Sequence, residues 1–188
     1  MKSIVVFDLE FTAWLGSMAR KWSGEGEHRE VVQIGAIELA GSDFAETVAL
    51  DLLVRPRINP VLSDYFIELT GITNEDVAQR GIGFAEALSQ FLRFLADRPL
   101  FCFGRDDFVL TENVQLYGLE AQFHIPVARN IKEWMRANGL DPTGLHSCEI
   151  AAAAGVPHNG RAHNALEDAR SIAKAIRALI ARGAPPPV

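Results

Sequence analysis

The chain opens with a run of apolar residues, Ile4-Val5-Val6-Phe7, of the β-branched and aromatic kind that forms a buried strand. A second strand is expected over 30–39, where Gly35 marks a close approach or a bulge. A third runs over 47–54 and ends before Pro56. The links between these three are short, which favours an antiparallel meander. The spacing then changes. A helix is expected from about 60 to 69, stopped at Gly71, and Thr73-Asn74-Glu75-Asp76 starts a short helical turn. Phe84, Leu88, Phe91, Leu92 and Leu95 recur at helical intervals. A strand over 100–103 follows, then helices near 107–117, 131–138 and 147–154. The last helix is expected over 165–182, with Asn164 as its cap and Gly183 as its stop. Strands first, then helices alternating with strands, predict an α/β domain around a mixed sheet, with no internal repeat.

At 188 residues and 48% hydrophobic, the chain can bury one sizeable core. It contains no apolar stretch near the roughly 20 residues that span a bilayer, and Met1-Lys2-Ser3 leads directly into a strand rather than a signal peptide. Cys102 and Cys148 are isolated and have no metal-ligand spacing, so they read as reduced core residues of a cytoplasmic protein. The net charge of −6 argues against a long nucleic-acid footprint, though not against a small contact with a few nucleotides.

The polar positions carry the chemistry. Asp8 and Glu10 follow the first strand two residues apart, so their side chains point the same way. Like charges held together at the end of a core strand repel each other and are costly to desolvate. A divalent cation relieves both, and all-oxygen sites suit magnesium or manganese. The bland alternative is a solvated turn that carries two acids by chance. Near the other end, His163 precedes the last helix and Asp168 lies one turn inside it. Asp168 heads the apolar stripe of Ile172, Ile176 and Leu179, an awkward place for an unpaired acid and a sensible one for a third ligand. Glu167, three residues after Asn164, is explained by a capping box.

An Asp-x-Glu strand, a middle aspartate and a late His-x4-Asp together resemble the DEDDh branch of 3′–5′ exonucleases. Longer stretches are similar to its ERI-1-like RNA exonuclease subgroup: Phe7 to Trp14, His28 to Ala36, Arg55-Pro56 through Leu62-Ser63-Asp64, and Glu68 to Thr73. The resemblance covers about residues 3–179 and implies an RNase H-like exonuclease fold, a mixed central sheet flanked by helices. Residues 1–183 would form the exonuclease domain, and 184–188 a disordered proline-rich tail.

The resemblance also implies roles. Asp8, Glu10, Asp168 and a fourth acid would hold two Mg²⁺ or Mn²⁺ ions, with His163 as general base. The substrate would be a single-stranded 3′ end of RNA, or possibly of DNA, released as nucleoside 5′-monophosphates. Phe11, Thr12, Leu69 and Thr70 match positions that touch the terminal nucleotide, alongside His163. The fourth acid is Asp106 or Asp107, because neighbours diverge by about 100° on a helix and only one can face the cations. Asp106 is preferred, since Leu110 and Val114 follow it at helical spacing. The aperiodic segment 14–28 reads as a surface loop whose Arg20, Lys21, Trp14 or Trp22 could line the substrate entrance.

Overall fold

A computed structural model of the chain describes residues 2–187; Met1 and Val188 lie outside the described residues. Eight residues, Ile4–Phe11, form β1, which is longer than its apolar run and so carries Asp8 and Glu10 within the strand itself. β2 spans Val31–Leu39, β3 Glu46–Leu53, β4 Leu100–Cys102 and β5 Arg129–Asn130. The sheet order is β3-β2-β1-β4-β5. β1, β2 and β3 are the expected antiparallel meander, while β4 and β5 add parallel to β1. This is the α/β RNase H-like architecture. The two residues of β5 offer no alternation from which a strand could be read.

The helices are α1 (Asp64–Thr70), α2 (Asn74–Arg80), α3 (Phe84–Leu95), α4 (Asp106–Leu116), α5 (Ile131–Ala137), α6 (Ile150–Ala153) and α7 (Ala165–Ala181). None is long and apolar enough to cross a membrane, among the described residues. α1 starts later than its sequence suggested, because Ser63 caps it by accepting from the Phe66 N–H. Gly71 closes α1 at φ 75°, a left-handed conformation that glycine tolerates. The helix expected over 147–154 is a 3₁₀ turn, Ser147–Glu149, followed by the short α6.

Strand alternation divides β1 between two cores. Val5, Phe7 and Leu9 pack with Phe91 of α3 and Leu110 of α4. Ile4 and Val6 face the other way, onto Ile131 and Met135 of α5 and Ile172 and Ile176 of α7. Asp8 and Glu10 continue this second face to the point where α7 begins.

Two residues of β2 set where α7 begins. Gly35 lies opposite Asp8 in the sheet. A Cβ on Gly35 would stand 2.1 Å from the Leu166 nitrogen, so only glycine lets the helix start sit directly on the strand. Beside it the buried Gln33 accepts from the Ala165 N–H at 2.9 Å, and its amide donates to Asp51. Asn164 caps α7 by accepting from the Glu167 N–H, as expected. The Glu167 carboxylate, however, turns to Arg170 at 2.7 Å instead of closing a capping box.

Ala184 packs on the α5–α7 core, and the Trp134 indole N–H donates to the Pro185 carbonyl at 3.0 Å. An aromatic ring with a hydrogen-bond donor gives the proline segment a surface to lie on. Cys102 and Cys148 are both free. Cys102 is buried in the core, which pushes its thiol up to about 12, whereas Cys148 is half-buried.

Candidate active site

At the uncovered end of the sheet lies a cleft of about 520 Å³. Asp8, Glu10, Asp106, His163 and Asp168 all line it, gathered from β1, α4, α7 and the loop before α7. Each acid is positioned by the fold. β1 alternation supplies Asp8 and Glu10, the Gly35 contact brings Asp168 over them, and the turn after β4 delivers Asp106.

The two adjacent aspartates separate clearly. Both belong to the first turn of α4. Asp106 faces the cleft, and its charge acts on Asp8 and Glu10. Asp107 turns into the protein, where it pairs with Arg105 at 3.0 Å and accepts from the Ala128 N–H at 3.3 Å. Asp107 is thus an anchor for the chain before β5 rather than a helix-end charge facing solvent.

Burial and mutual repulsion act together on the four acids. Asp8 is held well above the usual carboxylate range, first by burial and then by the charges of Asp106, Asp168 and Glu10. Glu10 is raised by burial and by Asp168 and Asp106. Burial lifts Asp106 to about 7 and Asp168 to about 6. The Ser147 hydroxyl donates to Asp168 Oδ2 at 3.0 Å, but Oδ1 is buried with no hydrogen-bond partner. An orphaned buried oxygen among carboxylates that cannot all ionise together fits a cation-binding site. Ligand atoms of Glu10, His163 and Asp168 lie within 4.8 Å of one another, which brings the imidazole into the same group.

His163 is held by its backbone. It adopts φ 58°, in the left-handed region. Two residues earlier, Arg161 lies against Gly71 and donates to the Thr70 carbonyl at 2.8 Å, tying the loop to the end of α1. Burial lowers the His163 pKa, and His146 lowers it further. The two rings meet edge to face at 5.9 Å. A lowered pKa keeps the imidazole neutral at neutral pH, the form that accepts a proton.

Of the expected nucleotide contacts, Phe11 and Leu69 line the cleft. Thr12 and Thr70 do not. Thr12 is buried and its hydroxyl bridges the His28 carbonyl and the Glu30 N–H; Thr70 is buried, with its hydroxyl on the Phe66 carbonyl and Ile72 N–H. A threonine hydroxyl that ties its own backbone is not free for a ligand. In the 14–28 loop Trp22 reaches the cleft, its ring tilted against Phe11 at 5.4 Å and its N–H donating to the Thr12 carbonyl. Trp14 is not among the lining residues, and Arg20 pairs with Glu27. The sequence reading passed over Ser147, His146, Tyr65 and Lys132, which also line the cleft. Their positions come from tertiary contacts, and no local motif marks them.

Comparison with known proteins gives the chain a family and relatives of the same fold. The RNase T exonuclease family matches residues 5–176, and the chain belongs to that family. No curated protein matches the sequence. Among solved structures, the nuclease domain of 3′hExo, a DEDDh family member bound to rAMP, superposes with TM-score 0.78 at 22% identity, covering 97% of this chain and 94% of that one. Cell-death related nuclease 4 (CRN-4) gives TM-score 0.79 at 17% identity over 98% of this chain and 65% of that one. The zinc-bound form of an E. coli ExoI–ssDNA complex gives 0.69 at 17% identity, over 97% of this chain and 41% of that one.

Proposed function

We propose that the protein is a metal-dependent 3′–5′ exonuclease that removes nucleoside 5′-monophosphates from the 3′ end of RNA. The observation that carries this reading is the convergence of four carboxylates and a neutral histidine in one cleft, with an orphaned Asp168 oxygen, in a chain of an exonuclease family.

Asp8, Glu10, Asp106 and Asp168 would hold the cations, Mg²⁺ or Mn²⁺, two to a site. Bound divalent cations supply the charge that lets these acids ionise together, acidify water and stabilise a departing 3′ oxygen. Phe11 and Leu69 flank the terminal nucleotide, with Trp22 extending the aromatic wall. His163 takes the proton of the attacking water. An imidazole cannot coordinate a cation through the same nitrogen that accepts this proton. Four oxygen donors already suit Mg²⁺, so we assign His163 to proton transfer.

RNA is favoured by the ERI-1-like stretches around the site. Two similar structures support it, one bound to rAMP and one recognising the 3′ end of a histone mRNA stem-loop. A DNA exonuclease is the second reading, favoured by the similarity to an ExoI–ssDNA complex. A binding module without activity would be expected to lack part of the acid set, and all five positions are filled. A cytoplasmic location is part of this proposal, since two free cysteines suit a reducing compartment.

The test is digestion of 3′- and 5′-labelled single-stranded RNA and DNA with Mn²⁺ or with excess EDTA. Mononucleotide release from the 3′ label, faster on RNA and abolished by EDTA, is expected. Full activity in EDTA, or internal cleavage, overturns the reading; a faster rate on DNA replaces the substrate class alone.

A further inference from the structure

Lys132 is the one lysine or arginine among the described residues that line the cleft; four acids line it as well. Its backbone is fixed at the junction of β5 and α5, where Asn130 accepts from the Lys132 N–H at 3.0 Å. Its ammonium lies over the Phe103 ring, 4.1 Å from the centroid. Asp106 is near enough for each charge to bias the other, yet no acid reaches Lys132 within the 4.0 Å of an ion pair, among the described residues. The side chain is half-buried, so this cation has lost part of its hydration without gaining an anion. A lysine placed only to neutralise the acids would be expected to pair with one of them. This one stands apart, held by an aromatic face and facing into the cleft.

We propose that Lys132 binds the scissile phosphate of the substrate and retains it as the 5′-phosphate of the released nucleotide. The inference rests on the exonuclease reading and adds to it. The acids and their cations serve one side of the phosphate, and Lys132 meets its oxygens from the β5–α5 side. A point charge on a flexible stem suits a phosphate that must arrive, react and leave.

Inhibition of RNA hydrolysis by AMP and by adenosine tests this directly, since the two differ only in the phosphate. In Lys132→Met, which keeps the stem over Phe103, AMP should inhibit about ten- to a hundredfold more weakly, as for loss of a hydrogen bond to a charged group. Adenosine should be unaffected, and kcat/KM for RNA should fall by a similar factor. Lys132→Arg should restore most of the AMP inhibition. Melting curves check folding, and Lys132→Gln is read the same way if the methionine variant does not fold. The proposal is overturned if AMP and adenosine weaken together, or if AMP inhibition is unchanged while only the metal dependence shifts. An inactive wild-type protein would count against the exonuclease reading instead, because the AMP comparison is made on an active enzyme.

Discussion

Glu30 and Asp168 are both buried carboxylates, 0% and 2% exposed, and their surroundings are opposite. Glu30 accepts from the backbone N–H groups of Arg57, Ile58 and Asn59 and from the Tyr117 hydroxyl. Its charge is spread over four donors, and it clamps the segment after β3 against α4. Asp168 has one hydroxyl donor, three acidic neighbours in the cleft and an oxygen with no partner. Asp107 sides with Glu30, since Arg105 and the Ala128 N–H satisfy it. Burial alone therefore does not mark a functional acid. The marker is burial that the protein's own donors leave unanswered.

Substituting one acid from each region should separate the two most strongly. Asp8→Asn should lower turnover by about 10³-fold or more, because several kcal/mol of charge stabilisation are lost with a cation ligand. The metal-free variant should melt no lower than the parent, since repulsion is relieved. Glu30→Ala should do the reverse. It strands several buried donors at about 1–3 kcal/mol each, so stability should fall steeply while the molecules that remain folded still turn over. Calorimetry and specific activity on the same samples decide. A stable but inactive Glu30 variant would erase the distinction.

His163→Ala should cost about 10²- to 10⁴-fold in kcat with little change in metal or AMP binding. Because burial and His146 hold the His163 pKa below its ordinary value, the parent's rate should stay flat down to that lowered pKa. Below it, the rate should fall as the imidazole takes up a proton. A variant whose rate and pH profile match the parent's would return His163 to a purely structural place beside His146.

The adjacent aspartates bring the comparison down to one peptide bond. Asp106→Asn should lose at least about tenfold in activity without loss of stability. Asp107→Asn should keep its activity and lose about 1–3 kcal/mol of stability, because its buried carboxylate answers the Ala128 N–H and Arg105. If the Asp107 variant is stable and inactive, the two roles are exchanged.

These pairs also show what could be read from the chain. Asp8 and Glu10 were legible because strand alternation is local, and Asp168 because an acid heading the Ile172–Ile176–Leu179 stripe breaks a helical pattern. Gly35 was legible as a close approach, though not what approaches it, since the start of α7 lies far along the chain. Thr12 and Thr70 were expected at the nucleotide, and their side chains lie outside the cleft lining. Both stand beside cleft residues in sequence, and only the fold reveals that their hydroxyls serve the backbone. Lys132 and Ser147 stand at the starts of expected helices but in no chemical motif, and β5 is too short to carry an alternation. The missed residues are those whose meaning depends on a partner distant in sequence.

The smallest expected effect concerns stability in the absence of cations, and its sign follows from the raised acids. Asp106 and Asp168 titrate near 7 and 6 in the folded protein, against 3.8 for a free aspartate. Between those limits the folded state holds more protons than the unfolded one, so metal-free stability must fall as pH rises from about 4 to about 7. Mg²⁺ or Mn²⁺ competes with those protons and binds only the folded site, so the melting temperature it adds should grow over the same range. Asp168→Asn should flatten both trends, because it removes a titrating acid and the orphaned oxygen together. Melting curves at pH 4.5, 5.5 and 7, with EDTA and with Mn²⁺, read the slopes directly. A metal-induced gain that is the same at every pH would mean that the cations bind somewhere other than among these four acids.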